Sequence, residues 1–198
     1  MGFRSLRVIN QDIIAAGGGF PEHPHENMEI FSYILSGALA HKDSMGNSRT
    51  LQPGMIQLMS AGSGVTHSEY NPSAEEPVSL LQIWIQPREQ NLTPSYTEWQ
   101  PSDEQKQQSK MLIISADGRE QSATIHQDVS IYKLQMQANE TIKHDLAENR
   151  GAWLQLIKGS VNVAGETLQA GDAISTEDAG EITICALSEV EALFFDLN

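Results

Sequence analysis

The chain has 198 residues, with 12 Lys plus Arg against 26 Asp plus Glu and a formal net charge of −14. So acidic a surface repels phosphate backbones, and the cations (Arg4, Arg7, Lys42, Arg49, Arg88, Lys106, Lys110 and Lys158 among them) are scattered singly, which argues against direct nucleic-acid binding. The single Cys185 leaves no intramolecular disulfide, no apolar run approaches a membrane span, and MGFRSLRVIN lacks the apolar core of a signal peptide, so a cytoplasmic location is expected.

Short segments that alternate apolar and polar residues dominate the chain, and turn residues separate them. SLRVIN (5–10) is the first predicted strand. In GGGFPEHPHENMEIFSYILSG (17–37), His23 and His25 lie two apart and share a face if the chain there is extended. EIFSYILSG (29–37), GALAHKD (37–43), GMIQLMS (54–60) and VSLLQIWIQP (78–87) follow as strands. Between Gln86 and Lys110 the composition turns to Pro, Gln and Ser, which predicts a connection, although Tyr96 and Trp99 within it are expected to pack on something. The expected domains are 1–95 and 111–198, joined by a linker over 96–110. Strands are predicted over 122–136, 152–165, 182–187 and 191–197, and the best helix signal is a turn or two near SDEQKQQSK. Closely spaced strands with turns such as SMGN, QPGM and AGD indicate an all-β sandwich or barrel.

The two halves look related. YILSGALAHKDSMGNSRTLQPGMIQLM (33–59) and LQLIKGSVNVAGETLQAGDAIS (154–175) both run strand, x-Gly-x, strand, turn, Leu-Gln-x-Gly, strand. Gly37 corresponds to Gly159, and Leu51-Gln52-Pro53-Gly54 to Leu168-Gln169-Ala170-Gly171.

In MIQLMSAGSGVTHSEYNPS (55–73), His67 and Glu69 repeat the spacing of His23 and His25. Two strands that each donate a same-face pair would aim three imidazoles and one carboxylate at a point between them. That donor set suits a divalent first-row metal such as Fe, Co, Ni, Cu or Zn, and suits Ca poorly. Glu29 has the parity of His23 and His25, so spacing alone leaves it as an alternative fourth ligand. His41 faces either a cavity or solvent, whereas His126 and His144 stand alone in the second half with a surface or hydrogen-bonded role as the default. Counting back from Gly159 puts Asp145 and Ala147 where His23 and His25 stand, and counting forward from Gly171 puts Ile184 where His67 stands, so the second half lacks the ligand set.

HPHENMEIFSYILSGALAHKDSMGN, PGMIQLMSAGSGVTHSEYNPS and LLQIWIQP resemble the pirin family of the cupin superfamily, over nearly the whole chain. The resemblance implies a bicupin, two tandem β-barrels of the double-stranded β-helix type, with metal only in the N-terminal one. It implies ligation by His23, His25, His67 and Glu69, and so favours Glu69 over Glu29. Some bacterial and animal pirins act as quercetin 2,3-dioxygenases, and animal pirin is linked to transcriptional regulation through protein partners. The implied function is a metal-dependent dioxygenase that acts on a flavonol with O2. Iron is the favoured metal, and Co, Ni, Cu, Zn and Mn are alternatives. In that reading Glu69 serves as both ligand and general base, because a carboxylate at the metal reaches a bound hydroxyl. Phe31, Ile56, Leu58 and Met59 are expected either to wall the pocket or to be plain core. The alternative function is a non-catalytic metal-binding regulator that acts through protein partners. Pirins carry a Trp-, His- and Phe-rich segment before the MGF.SLRVIN stretch, and this chain begins at that stretch. The N-terminal barrel is therefore expected to lack strands and cover, leaving edges that favour a homodimer.

Overall fold

The structure, a computed structural model, describes residues 2–198, which fall into two compact units. The first runs to Pro101 and also takes in Ile125–Gln127; the second comprises Ser102–Thr124 and Asp128–Asn198.

The first unit contains strands β1 (Leu6–Ile14), β2 (Gly19–His25), β3 (Glu29–Ser36), β4 (Leu39–Asp43), β5 (Ser48–Leu51), β6 (Ile56–Ser60), β7 (Val65–Tyr70), β8 (Val78–Ile85) and β9 (Ser95–Trp99). They form two antiparallel sheets, ordered β1-β8-β3-β6-β9 and β2-β7-β4-β5. β3 and β8 lie inside the larger sheet, and β3 is buried at all but its last two residues, which is why EIFSYILS reads as a nearly continuous apolar run. Between the sheets lie two apolar clusters, Ile14, Ile34, Leu39, Leu51, Val78 and Leu80 towards one end and Ile30, Met59, Ala61 and Val65 towards the other.

The second unit contains β10 (Lys110–Ser115), β11 (Ala123–Thr124), β12 (Val129–Met136), β13 (Thr141–Leu146), β14 (Gly151–Lys158), β15 (Ser160–Val163), β16 (Glu166–Gln169), β17 (Ala173–Thr176), β18 (Gly180–Ala186) and β19 (Val190–Leu197). Its sheets are ordered β11-β10-β12-β19-β14-β17 and β13-β18-β15-β16. The order β8-β3-β6 thus recurs as β19-β14-β17, and β2-β7-β4-β5 recurs as β13-β18-β15-β16. The duplicated bicupin architecture is present down to individual strands. Its hairpin glycines are required where they stand. Gly37 and Gly159 have φ of 76° and 85°, and a Cβ there would sit 2.7 Å from the Pro77 carbonyl oxygen and 2.0 Å from that of Glu189.

Two predicted segments differ. Part of the 96–110 connection is strand, because β9 pairs with β6 along the sheet edge, with Tyr96 opposite Met59. Its polar residues face solvent there, which disguised it. The predicted strand over 122–136 is broken, since residues 125–127 leave for the first unit between β11 and β12. The helix signal becomes a single 3-10 turn at Gln105–Gln107.

Candidate metal centre

β2 is the edge strand of its sheet, where Pro21 and Pro24 keep the chain extended without breaking an internal ladder. At its start Gly19 allows the closest approach to β7, for a Cβ would lie 2.3 Å from the Glu69 carbonyl oxygen. The register then sets His23 directly opposite His67. The ring centroids of His23, His25 and His67 lie 4.5–4.9 Å apart, and one nitrogen from each falls within 4.8 Å of the others. The structure therefore brings the three histidines together.

Their electronic state suits ligation. His23 Nδ1 lies 2.8 Å from the Pro21 carbonyl oxygen, to which it donates, leaving Nε2 with a free lone pair. Burial, helped by the neighbouring imidazole of His23, lowers the pKa of His25 to about 4. Burial also lowers that of His67 to about 3, with further depression from His23 and His25. Both are neutral at pH 7. His67 is 1% exposed, and its Nε2 has no hydrogen-bond partner. A buried lone pair with no partner, aimed among two other imidazoles, fits a metal ion.

Glu69 is fully buried, one step further in. Its Oε2 accepts from Gln82 Nε2 at 2.7 Å, and its Oε1 from Ser32 Oγ at 3.2 Å and Gln57 Nε2 at 3.5 Å. These three donors form one rung across the opposite sheet, with Gln57 and Gln82 both in register with Ser32. Burial raises the Glu69 pKa, and the hydrogen bonds from Ser32, Gln82 and Gln57 oppose that rise. Ser32, Gln57 and Gln82 were missed in the sequence, yet each is a lone polar residue inside an apolar strand (IFSYI, MIQLM, LLQIW), and such a pattern calls for a buried partner.

The pleat that turns Ser32 towards Glu69 turns Glu29 to the other face. There Glu29 accepts from Ser60 Oγ at 2.6 Å and stands 3.3 Å from His126 Nδ1. His126 thus belongs to the first unit, not the second. By the same parity Phe31, Ile56 and Leu58 face away from the histidines, and only Met59 of the four expected wall residues shares their side. His41 faces inward and is 2% exposed. Its Nδ1 accepts from Gln57 at 3.0 Å, its Nε2 donates to Asp43 at 3.1 Å, and Tyr96 stacks on it at 4.9 Å. His41, His67 and Glu69 form a second group of close ligand atoms, but both His41 nitrogens are already engaged.

In the second unit His144, not Asp145, occupies the His23 position, because His144 pairs with Ile182 as His23 pairs with His67. Leu146 replaces His25, Ile182 replaces His67, and Ile184 replaces Glu69. The backward count is off by one because the loop after β13 is one residue longer than the loop after β2. The forward count, which puts Ile184 at the His67 position, is off by two because β17 and the loop after it are each one residue shorter than β6 and its loop. Both His144 nitrogens are occupied, Nε2 by Asp196 at 2.9 Å and Nδ1 by Lys110 Nζ at 2.8 Å.

Comparison with known proteins agrees with this architecture. Residues 1–85 match the Pirin family, and residues 112–197 match the quercetinase C-terminal cupin domain. The chain is 44% identical over 201 residues to a quercetin 2,3-dioxygenase of Escherichia coli K12, covering 100% of this chain and 84% of that one. It superposes on the crystal structure of YhhW from E. coli with a TM-score of 0.96 at 43% identity, over 100% of this chain and 83% of that one. The nickel(II) complex of that bacterial pirin gives 0.95 at 43% identity, over 100% and 84%. Among the described residues no helix is long and apolar enough to cross a membrane. Two cupin barrels matched along their length by these relatives mean that the chain belongs to the pirin family.

Proposed function

We propose that the first barrel is a metal-dependent dioxygenase site for flavonol-type aromatics, with one divalent first-row ion held by His23, His25, His67 and Glu69. The observation that carries it is the buried, partnerless Nε2 of His67 beside two further imidazoles. Iron is the favoured ion, and nickel is the ion in the E. coli relative. When bound, the ion supplies Lewis-acid polarisation of a substrate oxygen and open positions beside it.

The protein's own groups do the rest. His23 and His67 fix one wall through the β2–β7 register, and Trp84 packs edge-on against His25 at 4.9 Å, limiting its rotation. Glu69 takes the flavonol 3-hydroxyl proton at Oε1, the oxygen with the longer contacts, while Gln82 holds Oε2. Gln57 joins Glu69 to His41 and to Tyr96, whose hydroxyl donates to it at 3.3 Å, so the carboxylate keeps its orientation as charge moves.

The test is oxygen uptake with quercetin by protein loaded separately with Fe, Ni, Co, Cu and Mn. At least one form should consume O2, and a flavonol methylated at the 3-hydroxyl should not react. Uptake that is absent in every form, or identical in His23→Ala, would refute the proposal and favour the non-catalytic, partner-binding role.

A further inference from the structure

The second barrel keeps the frame of the first site and reverses its chemistry. The rung Gln57–Ser32–Gln82 has as its counterpart Ile174–Leu154–Phe194, which the β14–β17 and β14–β19 registers set side by side. His67, Glu69 and His41 are replaced by Ile182, Ile184 and Val163. All six line a cavity of about 530 Å³, whose walls also carry Ser175, Thr176, Asp178, Glu181 and Thr183.

We propose that this cavity binds a small neutral aromatic molecule. Its volume falls within the span typical of small-molecule sites, roughly 300–1,000 Å³. The side chains of the floor offer water no hydrogen-bond partners, unlike Ser175, Thr176 and Thr183 on the walls, so a ring seated on the floor displaces poorly bonded water. Phe194, 2% exposed and packed on His144, contributes an aromatic edge to the floor. A metal is excluded by donor chemistry, since the one histidine at a ligand-equivalent position, His144, has both nitrogens engaged. Anionic ligands are disfavoured as well. Asp178 and Glu181 stand at the mouth, and the nearby cation Lys143 is tied to Glu181 at 2.8 Å. The proposal does not depend on the metal chemistry of the first barrel.

The probes are 2-naphthol and its charged analogue 2-naphthoate, followed by isoleucine-methyl NMR of the metal-stripped 198-residue protein. Saturable shifts of Ile174, Ile182 and Ile184 are expected with naphthol, and binding of naphthoate at least about tenfold weaker. Ile174→Trp, at a half-buried lining position, should fill the space and weaken naphthol at least about tenfold. The wild-type methyl shifts decide the matter if that variant does not fold. Shifts confined to first-unit isoleucines such as Ile30, no saturable shift at all, or equal binding of naphthoate would overturn the proposal.

Discussion

Acidifying the metal-free protein from pH 7 to pH 5 should destabilise the first barrel through its histidines, and His67 should carry about 2 kcal/mol of that loss. An unfolded histidine takes its proton near pH 6.5, whereas folded His67 resists until about pH 3 and His25 until about pH 4. Their folded pKa values are depressed, so the stability is present above pH 6.5 and is lost as pH falls from there towards the folded values. At pH 5 the unfolded chain gains about 1.5 pH units of proton binding per histidine, at about 1.36 kcal/mol per unit. That is about 2 kcal/mol for fully buried His67 and about half as much for half-exposed His25, where solvent screens the charge. Burial raises the Glu69 pKa, so that carboxyl titrates with the opposite sign and total stability does not isolate the effect. A paired comparison does. Chelator-treated wild type and His67→Leu would be unfolded in guanidinium at pH 7 and pH 5 and followed by tryptophan fluorescence, to which Trp84 beside His25 contributes. The variant should lose about 2 kcal/mol less than wild type between the two pH values. Equal losses would mean that His67 is not held neutral by its surroundings.

His67→Ala should abolish stoichiometric metal in elemental analysis, whereas His126→Ala and His144→Ala should retain it. Glu69→Gln should weaken metal retention and remove oxygen uptake together; Glu29→Gln should spare the metal and lower the melting temperature, because it disturbs the 2.6 Å bond from Ser60. Gln82→Leu should cost about 1–3 kcal/mol in denaturant unfolding by leaving the buried Oε2 of Glu69 without its 2.7 Å donor. Gly159→Ala should destabilise the second unit by more than about 1 kcal/mol, given its φ of 85° and the carbonyl 2.0 Å from the added Cβ.

The ligand candidates were legible because strands alternate with a period of two: His23 with His25 and His67 with Glu69 each had to share a face once their segments were strands. The repeat was legible at Gly37 and Gly159, where a left-handed turn admits little else. What failed had identifiable physical causes. β9 is an exposed polar edge, so its alternation carries no apolar signal. β13, TIKHDL, hides its inward residues Ile142, His144 and Leu146 among charges. The detour of residues 125–127 depends on a tertiary partner, buried Glu29 waiting for His126, which no local pattern encodes. Glu29 and Glu69 could not be separated by spacing because a three-residue turn between β2 and β3 resets the parity.

Comparison of the barrels shows why the polar set comes complete or not at all. A buried carboxylate such as Glu69 is tolerable only with its donors, and its three bonds come from three strands of the facing sheet. Replacing one donor by an aliphatic residue strands the charge. Placing one polar residue into the rung Ile174–Leu154–Phe194 would bury an unpaired group instead. The two rungs therefore sit at opposite ends of one scale on the same backbone. His144 marks the boundary. It keeps the place of His23 but is satisfied by Asp196 and Lys110, groups outside the apolar floor, and so it remains buried without disturbing that floor. In the proposed function, metal binding then depends on the rung behind the histidines as much as on the histidines themselves. Restoring three free ligands in the second barrel, as Leu146→His with Ile182→His and Ile184→Glu, should not create a metal site unless Leu154, Ile174 and Phe194 are also made polar. Metal titration of the triple variant against the sixfold variant measures that dependence, and tight binding by the triple variant alone would refute it.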